Sequence, residues 1–572
     1  MAWILIAAAA LHLAGIGWGL PASDGWDNDG VAPRDFLAGL VETVDPGHFY
    51  TYPPVHLALL GLLTLPVVLV AVLRAPSFAR ADVVHEVLKV PYMTTIACIA
   101  RFTSVLMSLG IVFAIGRIAE ELRAAELGAR EGDRENAGRV ARRAGYVAAA
   151  LVGVNMTFTY YAQTTNLDVP YLFWACLAVL GFVRGVTRKA PRFFRRASVF
   201  AVLAVATKDQ AFALFVGLPI VLLAWLAFDP WAKQNRRAIL RETMLAVAAS
   251  AVLLLVLDGA LINPTGFVAR IHFLLGSASQ DFTHYTNDPQ GWMRVLSDVV
   301  VSFPRYYPWL FAPFVVFGVL LGPWRTRRAG IAVAWSIPLV VALSFTIAFN
   351  LTARRADHRF VLPQAIMLAV YGGLAIEPLV FSARKTLRVL SQAGFAIAFA
   401  TAIVACAAVD ATLLLDPRYD AEQWLATHVK PDETVEVYGL NVYMPRMPAS
   451  AHVVRVGPTP AAARNPMFGA TELQDAYGNA RKRAPHYIVV NESWVWRHLI
   501  DPSTKLEPGR EFPPTQLKNM TDPDATHFFQ ALVRGEGGYR LVHMSRFESK
   551  VWPRIDIHAS TAREIWIYER AF

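Results

Sequence analysis

The dominant feature of this sequence is a series of apolar segments, most of them about as long as a helix that crosses a bilayer. They lie near residues 2–20, 55–73, 95–116, 144–162, 169–183, 197–207, 210–228, 243–262, 304–323, 329–349, 361–381 and 391–414. Hydrophobic residues make up 55% of the 572 residues and charged residues only 17%. A soluble protein is less apolar than this. The pattern predicts a polytopic α-helical membrane protein.

Lysine and arginine are concentrated in five short stretches between these segments. The stretches span residues 117–143, 184–196, 233–241, 325–328 and 384–388. Cytoplasmic loops are enriched in these residues, and all five stretches share one side only if residues 55–73 do not cross. We therefore predict eleven spans, with the N-terminus inside, the C-terminus outside, and an embedded or interfacial helix pair at 55–73 on the outer side. The dispersed basic residues also argue against a nucleic-acid partner.

The two ends of the chain have different characters. Residues 1–20 lack the basic start of a signal peptide, so we interpret them as an uncleaved first span. After residue 414 the sequence alternates like a soluble protein, as in "TVEVYG" and "HYIVV". We predict a membrane domain over 1–414, with outer loops at about 21–95 and 263–303, and an outer α/β domain over 415–572. The three cysteines lie in apolar runs and predict neither disulfides nor a thiolate metal site.

In this topology one group of charged residues collects at the outer membrane face. Its members are Asp27, Asp29, Asp168, Lys208, Arg354, Arg355, His358 and Arg359. Ionisable side chains at membrane depth are costly and usually face a cavity or a partner. Their convergence from four loops makes them candidates for a functional site.

Sugar transfer from a lipid phosphate would use both signs of charge in this group. The departing lipid phosphate is anionic, and lysine or arginine stabilises it. The attacking acceptor hydroxyl needs a base, which a carboxylate provides. Asp29 as the base, with Lys208 and Arg359 at the phosphate, supplies both halves of the reaction.

Each of these residues also has an ordinary structural interpretation. Asp29 and Asp168 are placed where acidic residues cap helices or mark loops. Lys208 is placed where a lysine extends from a helix end to the membrane surface. The stretch "ARRADHR" at 353–359 has the composition of a solvated turn.

Several motifs resemble the GT-C integral-membrane glycosyltransferases, in particular protein O-mannosyltransferases and the aminoarabinose transferases of lipid A. An acidic first outer loop precedes "YPPVHLALLGL" (52–62), which is similar to the family's Pro-Pro juxtamembrane helix. The later motifs are "ARFTSVLMSLGIVFAIGR" (100–117), "YYAQTTNLDVPYLFW" (160–174), "TKDQ" (207–210) and "HRFVLP" (358–363). Their order over about 360 residues carries the resemblance, which implies a GT-C fold with juxtamembrane helices in the first outer loop.

The resemblance assigns roles to individual residues. Asp29 matches the catalytic acid of the first loop, with Gly30 where the family often has Glu, so that Asp27 is a second candidate. Asp168 matches the second-loop acid, and Lys208 and Arg359 match basic positions near the lipid phosphate. Asp209 replaces the glycine of the family's TKG motif and is placed to pair with Lys208. Arg355, His358, Arg34 and His56 complete the predicted substrate-binding set.

The resulting prediction is an inverting glycosyltransferase that uses a polyprenyl-phosphate-linked sugar and a lipid, glycan or protein acceptor. Asp27, Asp29 and Asp168 also form an oxygen-ligand set that suits a divalent metal, without diagnostic spacing. Alanine- and arginine-rich spans indicate a high-GC bacterial source, hence an inner-membrane protein with a periplasmic C-terminal domain. Two alternatives remain at this point: a transporter or flippase for an anionic lipid-linked sugar, and a receptor-like scaffold.

Overall fold

The computed structural model describes residues 1–27, 30–31, 33–128, 134–325, 329–460 and 467–571, the side chains of 33, 34, 134, 322–325 and 329 excepted. Eight helical segments in these ranges are long and apolar enough to cross a membrane. They are Pro54–Arg74, Val90–Leu127, Asp168–Thr187, Asp209–Phe228, Arg236–Leu257, Gly330–Leu351, His358–Val380 and Lys385–His428. The predicted class, an integral membrane protein that is mostly helical, is confirmed.

The helices of the first half begin and end as follows: α1 Ala2–Leu13, α2 Pro33–Val44, α3 Pro54–Arg74, α4 Arg80–Val87, α5 Val90–Leu127, α6 Arg134–Gly153, α7 Met156–Ala162, α8 Asp168–Thr187, α9 Arg192–Val205, α10 Leu218–Phe228, α11 Pro230–Gln234 and α12 Arg236–Leu257. Those of the second half are α13 Pro264–Leu275, α14 Ser277–Gln280, α15 Pro289–Val301, α16 Ala312–Arg325, α17 Ala329–Phe345, α18 His358–Val380, α19 Lys385–Leu414, α20 Pro417–His428, α21 Ala480–Arg483, α22 Glu492–Leu499, α23 Pro514–Met520 and α24 Pro523–Arg534.

The helix pair predicted for residues 55–73 is wrong. These residues form one continuous helix, α3, with Pro54 in its first turn and Pro66 inside it. Proline is well suited to the first turn, where its missing N–H would have no helical partner. At its start, the amide of Val55 donates to the carbonyl of Ala206 at 3.0 Å. Beyond its end, the ring of His85 in α4 lies 6.2 Å from that of Phe468 in the C-terminal part.

The central helices pack closely because small residues line their contacts. A Cβ added to Gly145 in α6 would lie 2.6 Å from the carbonyl oxygen of Gly116 in α5. Small residues at such positions let membrane helices approach closely. Helix α18 is almost wholly buried and packs against both α5 and α6. The candidate site lies where α8 and α18 begin.

The C-terminal part contains a six-stranded mixed sheet in the order β3-β2-β1-β4-β6-β5. Its strands are β1 Thr434–Tyr438, β2 His452–Gly457, β3 Thr471–Gln474, β4 Tyr487–Asn491, β5 Tyr539–Arg546 and β6 Glu564–Arg570. Strands β3, β2, β1 and β4 pair in parallel. Strand β6 runs antiparallel to both of its neighbours, β4 and β5. The predicted α/β character is confirmed; the boundary at 414/415 stays a prediction.

Candidate functional site

A short backbone pairing joins the two acidic outer loops. Gly30 forms an antiparallel bridge with Asn166, and the amide of Val31 donates to the carbonyl of Thr165 at 3.2 Å. The first loop and the segment just before Asp168 are therefore adjacent, as the sequence predicted.

A buried ion pair lies next to this bridge. The Nζ of Lys208 is 2.8 Å from Oδ1 of Asp168. Asp168, in the first turn of α8, is completely buried, and Lys208 is 7% exposed. The lysine Nζ also lies 5.7 Å from the ring centre of Tyr171 and 5.9 Å from that of Phe360. An apolar, aromatic setting strengthens the electrostatic action of such a pair, because water does not screen it.

The pairing predicted between Asp209 and Lys208 is wrong. Asp209 instead contacts Arg270 of α13, with 2.5 Å between Oδ2 and the guanidinium nitrogen. The acid that replaces the glycine of the TKG motif thus leaves Lys208 to Asp168. It also ties the segment after Lys208 to the long outer loop.

The basic residues after α17 lie beside Lys208 and contact different partners. Arg355 donates twice to Oδ2 of Asp357, at 3.2 and 3.0 Å. Burial acts to raise the pKa of Asp357, but Arg355, His284 and Arg359 outweigh it and lower that pKa on balance. The guanidinium carbons of Arg355 and Arg359 lie 4.5 and 4.7 Å from the ring centre of Phe360. Both cations therefore share one aromatic ring with Lys208.

Two predicted histidines of the substrate-binding set have different surroundings. The Nδ1 of His358 is 3.0 Å from the carbonyl oxygen of Ile557 in the C-terminal part. His56, in the first turn of α3, is buried, and its Nδ1 has no hydrogen-bond partner among the described residues.

The first acidic loop is described only in part. Asp27 is 8% exposed and interacts electrostatically with Arg101 of α5. Arg101 itself donates to the carbonyls of Ile16 and Trp18, at 2.7 Å each. Asp29 and the side chain of Arg34 lie outside the described residues. Their roles stay predictions.

Gly30 occupies a position with no room for a side chain. A Cβ there would lie 2.5 Å from Oγ1 of Thr165 and 2.9 Å from Oδ2 of Asp27. This close approach accounts for a glycine at position 30. Among the described acids of that loop, Asp27 lies nearest to the bridge.

We expect Gly30→Ala to destabilise the protein by about 1–3 kcal/mol, since overpacking has costs of this size. The double variant Gly30→Ala/Thr165→Ala should recover part of the loss, because it removes the hydroxyl that the new methyl group meets. Thermal unfolding of the purified variants in detergent measures both effects. Equal melting temperatures for wild type and Gly30→Ala would contradict this description of the bridge.

A second charged cluster includes Asp209, the residue after Lys208, together with Arg270 and Asp258. Asp258, after the end of α12, and Arg270 line a small cavity together with Tyr50 and Tyr52. Burial raises the pKa of Asp258 to about 7, with Arg270 lowering it and Asp209 raising it. Asp258 is therefore largely protonated below neutral pH.

A pH dependence of stability follows from Asp258. Its pKa is higher in the folded protein than in the unfolded chain, where it is about 3.9. The stabilisation is therefore complete below about pH 4 and is lost as the pH rises through about 7. We expect the melting temperature of wild type to fall between pH 5 and pH 8 more than that of Asp258→Asn. Parallel curves would contradict the pKa assignment.

The site combines groups that bind an anion with groups that accept a proton. Lys208, Arg355 and Arg359 converge on Phe360, while Asp168 and Asp27 lie toward the bridged loops. Within the described ranges, no three His, Cys, Asp or Glu side chains gather into a metal-binding group. The metal set predicted from the sequence includes Asp29 and so lies partly outside those ranges.

Three residues of the site were not predicted. Gln210 donates to Oδ1 of Asp168 at 3.4 Å and to the hydroxyl of Tyr171 at 3.2 Å. The i to i+3 spacing of Asp168 and Tyr171 on one helix face was a usable signal for the tyrosine. His558, whose ring stacks on Tyr160 with 5.3 Å between ring centres, had no such signal because it lies almost 400 residues away.

No family model matches the chain, and no curated protein matches it. Among solved structures, the chain is similar to ArnT from Cupriavidus metallidurans. The apo form has 13% identity and a TM-score of 0.48, and the form bound to undecaprenyl phosphate has 13% and 0.47; each alignment covers 89% of this chain and 96% of that chain. The arabinofuranosyltransferase AftD from Mycobacteria aligns at 15% identity with a TM-score of 0.39, covering 99% of this chain but only 41% of that protein.

These solved structures are GT-C glycosyltransferases, the class that the sequence motifs resemble.

Proposed function

We propose that the protein is an inverting glycosyltransferase that moves a sugar from a polyprenyl-phosphate-linked donor to an acceptor hydroxyl. The observation that carries the proposal is the buried Lys208–Asp168 pair, next to Arg359 and to the bridged acidic loops. It combines a cationic surface for a leaving phosphate with acids for an attacking hydroxyl, at the end of apolar helices where a lipid phosphate lies.

In this mechanism Asp29 removes the proton of the acceptor hydroxyl as its oxygen attacks the anomeric carbon. The bond from that carbon to the phosphate oxygen breaks, and its electrons remain on the phosphate. Lys208, Arg355 and Arg359 stabilise the resulting charge. Asp168 holds Lys208 in place and orients the acceptor, and Asp27 shares the acidic loop with Asp29. His56, His358 and Arg34 complete the pocket for substrate.

We propose that the chain crosses the membrane eleven times, with the site and the C-terminal domain outside. Helix α3 does not cross in this topology. Its start contacts Ala206 beside Lys208, and the following helix α4 reaches Phe468 of the C-terminal part. If α3 crossed, the chain would have to return across the bilayer for α4 to reach Phe468. Helix α4 has only eight residues, about 12 Å of helix, and is too short to do so. Seven of the eight candidate spans remain without α3, and α1, α6, α9 and the segment Trp309–Leu321 supply the other four.

The proposed location is the inner membrane of a bacterium, with the domain over 415–572 in the periplasm. The basic stretches 184–196, 233–241 and 384–388 then face the cytoplasm, as the positive-inside rule requires. The acceptor is a lipid, glycan or protein that reaches the outer face.

A donor labelled with ³²P in the phosphate and ³H in the sugar tests this function. Purified protein is incubated with a panel of such polyprenyl-phosphate sugars and with membrane extract as the acceptor source. We expect ³H to enter the acceptor while ³²P remains with the lipid. Movement of intact, doubly labelled donor across sealed vesicles, without transfer, would instead establish the transporter or flippase.

A further inference from the structure

The carboxyl edge of the C-terminal sheet faces the first outer loop. In open α/β sheets, ligands bind at this edge where the strand order reverses, here between β1 and β4. Asn441, three residues after β1, donates to Oδ2 of Asp24 at 3.0 Å. The position that commonly receives a ligand thus receives a segment of the same chain.

A completely buried ion pair connects the loop with the C-terminal part. Arg418 donates to both carboxylate oxygens of Asp416, at 2.8 and 2.6 Å, and neither side chain is exposed. The same guanidinium donates to the carbonyls of Val442 and Ser560, at 2.6 and 2.8 Å. The carboxylate of Asp416 also accepts a hydrogen bond from the indole N–H of Trp18, at 3.1 Å from Oδ2.

Trp26, directly before Asp27, lies against two guanidinium groups. The guanidinium carbon of Arg418 is 4.0 Å from its ring centre and that of Arg446 is 5.5 Å away. Glu422 holds Arg446, which also donates to the carbonyl of Pro21 at 3.3 Å. The face of an indole ring attracts a cation, and the attraction is stronger when water is excluded.

The same domain also holds the basic side of the site. Its segment between β5 and β6 contacts the ends of three helices: the amide of Ile555 donates to Oγ1 of Thr412 at 3.0 Å, Ile557 contacts His358, and His558 stacks on Tyr160. The C-terminal part therefore contacts both the acidic loop and the basic turn.

We propose that the C-terminal domain sets the spacing between the acidic loop (residues 18–31) and the basic turn (residues 354–359), with Arg418 and Arg446 as positioning residues. The inference rests on the proposed function of the site. Neither arginine contacts the substrates; each acts through Trp26 on the acid that follows it. A shift of about 1 Å in such a loop slows a reaction by roughly a hundredfold.

Kinetics of three variants test the positioning role. We expect Arg446→Gln and Trp26→Phe to lower kcat by about tenfold to a hundredfold, with the KM for the lipid donor changed less than about twofold. Arg446→Lys should recover part of the rate because it keeps the charge. The matched control is Arg540→Gln, an exposed arginine of the same domain paired with Glu569, which should behave as wild type. A kcat unchanged in Arg446→Gln and Trp26→Phe overturns the proposal.

A cross-linking measurement tests the docking without reference to activity. Asp24→Cys and Asn441→Cys are combined with Cys98→Ala, since Cys98 is the exposed cysteine, and a short bis-methanethiosulfonate is added. We expect rapid cross-linking that Arg418→Lys slows at least about fivefold. Absence of cross-linking overturns the docking. Rapid cross-linking in a protein that transfers no sugar from any donor overturns the proposed function instead.

Discussion

Replacing Lys208 with methionine is expected to lower the rate of sugar transfer by about 10²–10³-fold. The substitution removes the buried cation that the mechanism places at the leaving phosphate. It also leaves Asp168 buried without its cation, at a cost of about 3–5 kcal/mol in stability. Transfer from the labelled donor and thermal unfolding measure the two effects separately.

A double variant distinguishes the chemical role of Lys208 from its structural role. Lys208→Met/Asp168→Asn removes both charges, so it should regain much of the lost stability without regaining activity. Lys430→Met is the matched control, because Lys430 is 81% exposed where it pairs with Glu433 and such surface pairs contribute about 0–1 kcal/mol. If the double variant transfers sugar like wild type, Lys208 does not act at the phosphate.

Asp168→Asn is expected to have the second large effect. The amide keeps the shape of the side chain but removes the carboxylate charge that lies 2.8 Å from the ammonium of Lys208 in its aromatic setting. We expect a loss of about 2–4 kcal/mol in stability, somewhat below that of a fully broken buried pair. The rate of transfer should fall by about tenfold to a hundredfold, because the ammonium is no longer held in place.

Asp357 provides a control for Asp168 of the same residue type. Asp357 forms an ion pair with Arg355, and its side chain is 38% exposed. Asp357→Asn should therefore change stability by no more than about 1 kcal/mol. Equal losses of stability in Asp168→Asn and Asp357→Asn would show that burial of the Lys208–Asp168 pair does not increase its contribution to stability.

The sequence predicted the membrane class and the meeting of the loops, because both follow from local patterns. Apolar length and the positions of basic residues are visible without a structure. Asp168 and Lys208 were predicted at one face, and they form an ion pair there.

The sequence did not predict which distant residues contact one another. Asp209 was expected to pair with its neighbour Lys208, but it contacts Arg270, sixty-one residues away in sequence. The positions of the basic residues led us to expect a helix pair at residues 55–73, whereas these residues form one continuous helix with Pro66 inside it. Nor did the sequence predict that Arg418 and His558 lie beside the first loop and α7, since packing between distant segments leaves no local pattern.

The most direct test of the account is the single-turnover rate of sugar transfer by Asp29→Asn, at saturating lipid donor and equal amounts of folded protein. A carboxylate base contributes about 10²–10⁴-fold to a rate. We expect a fall of this size with unchanged affinity for the polyprenyl phosphate, since the proposed mechanism assigns the phosphate contacts to Lys208, Arg355 and Arg359. A rate within about threefold of wild type would contradict it, because the acidic loop would then have no part in activating the acceptor.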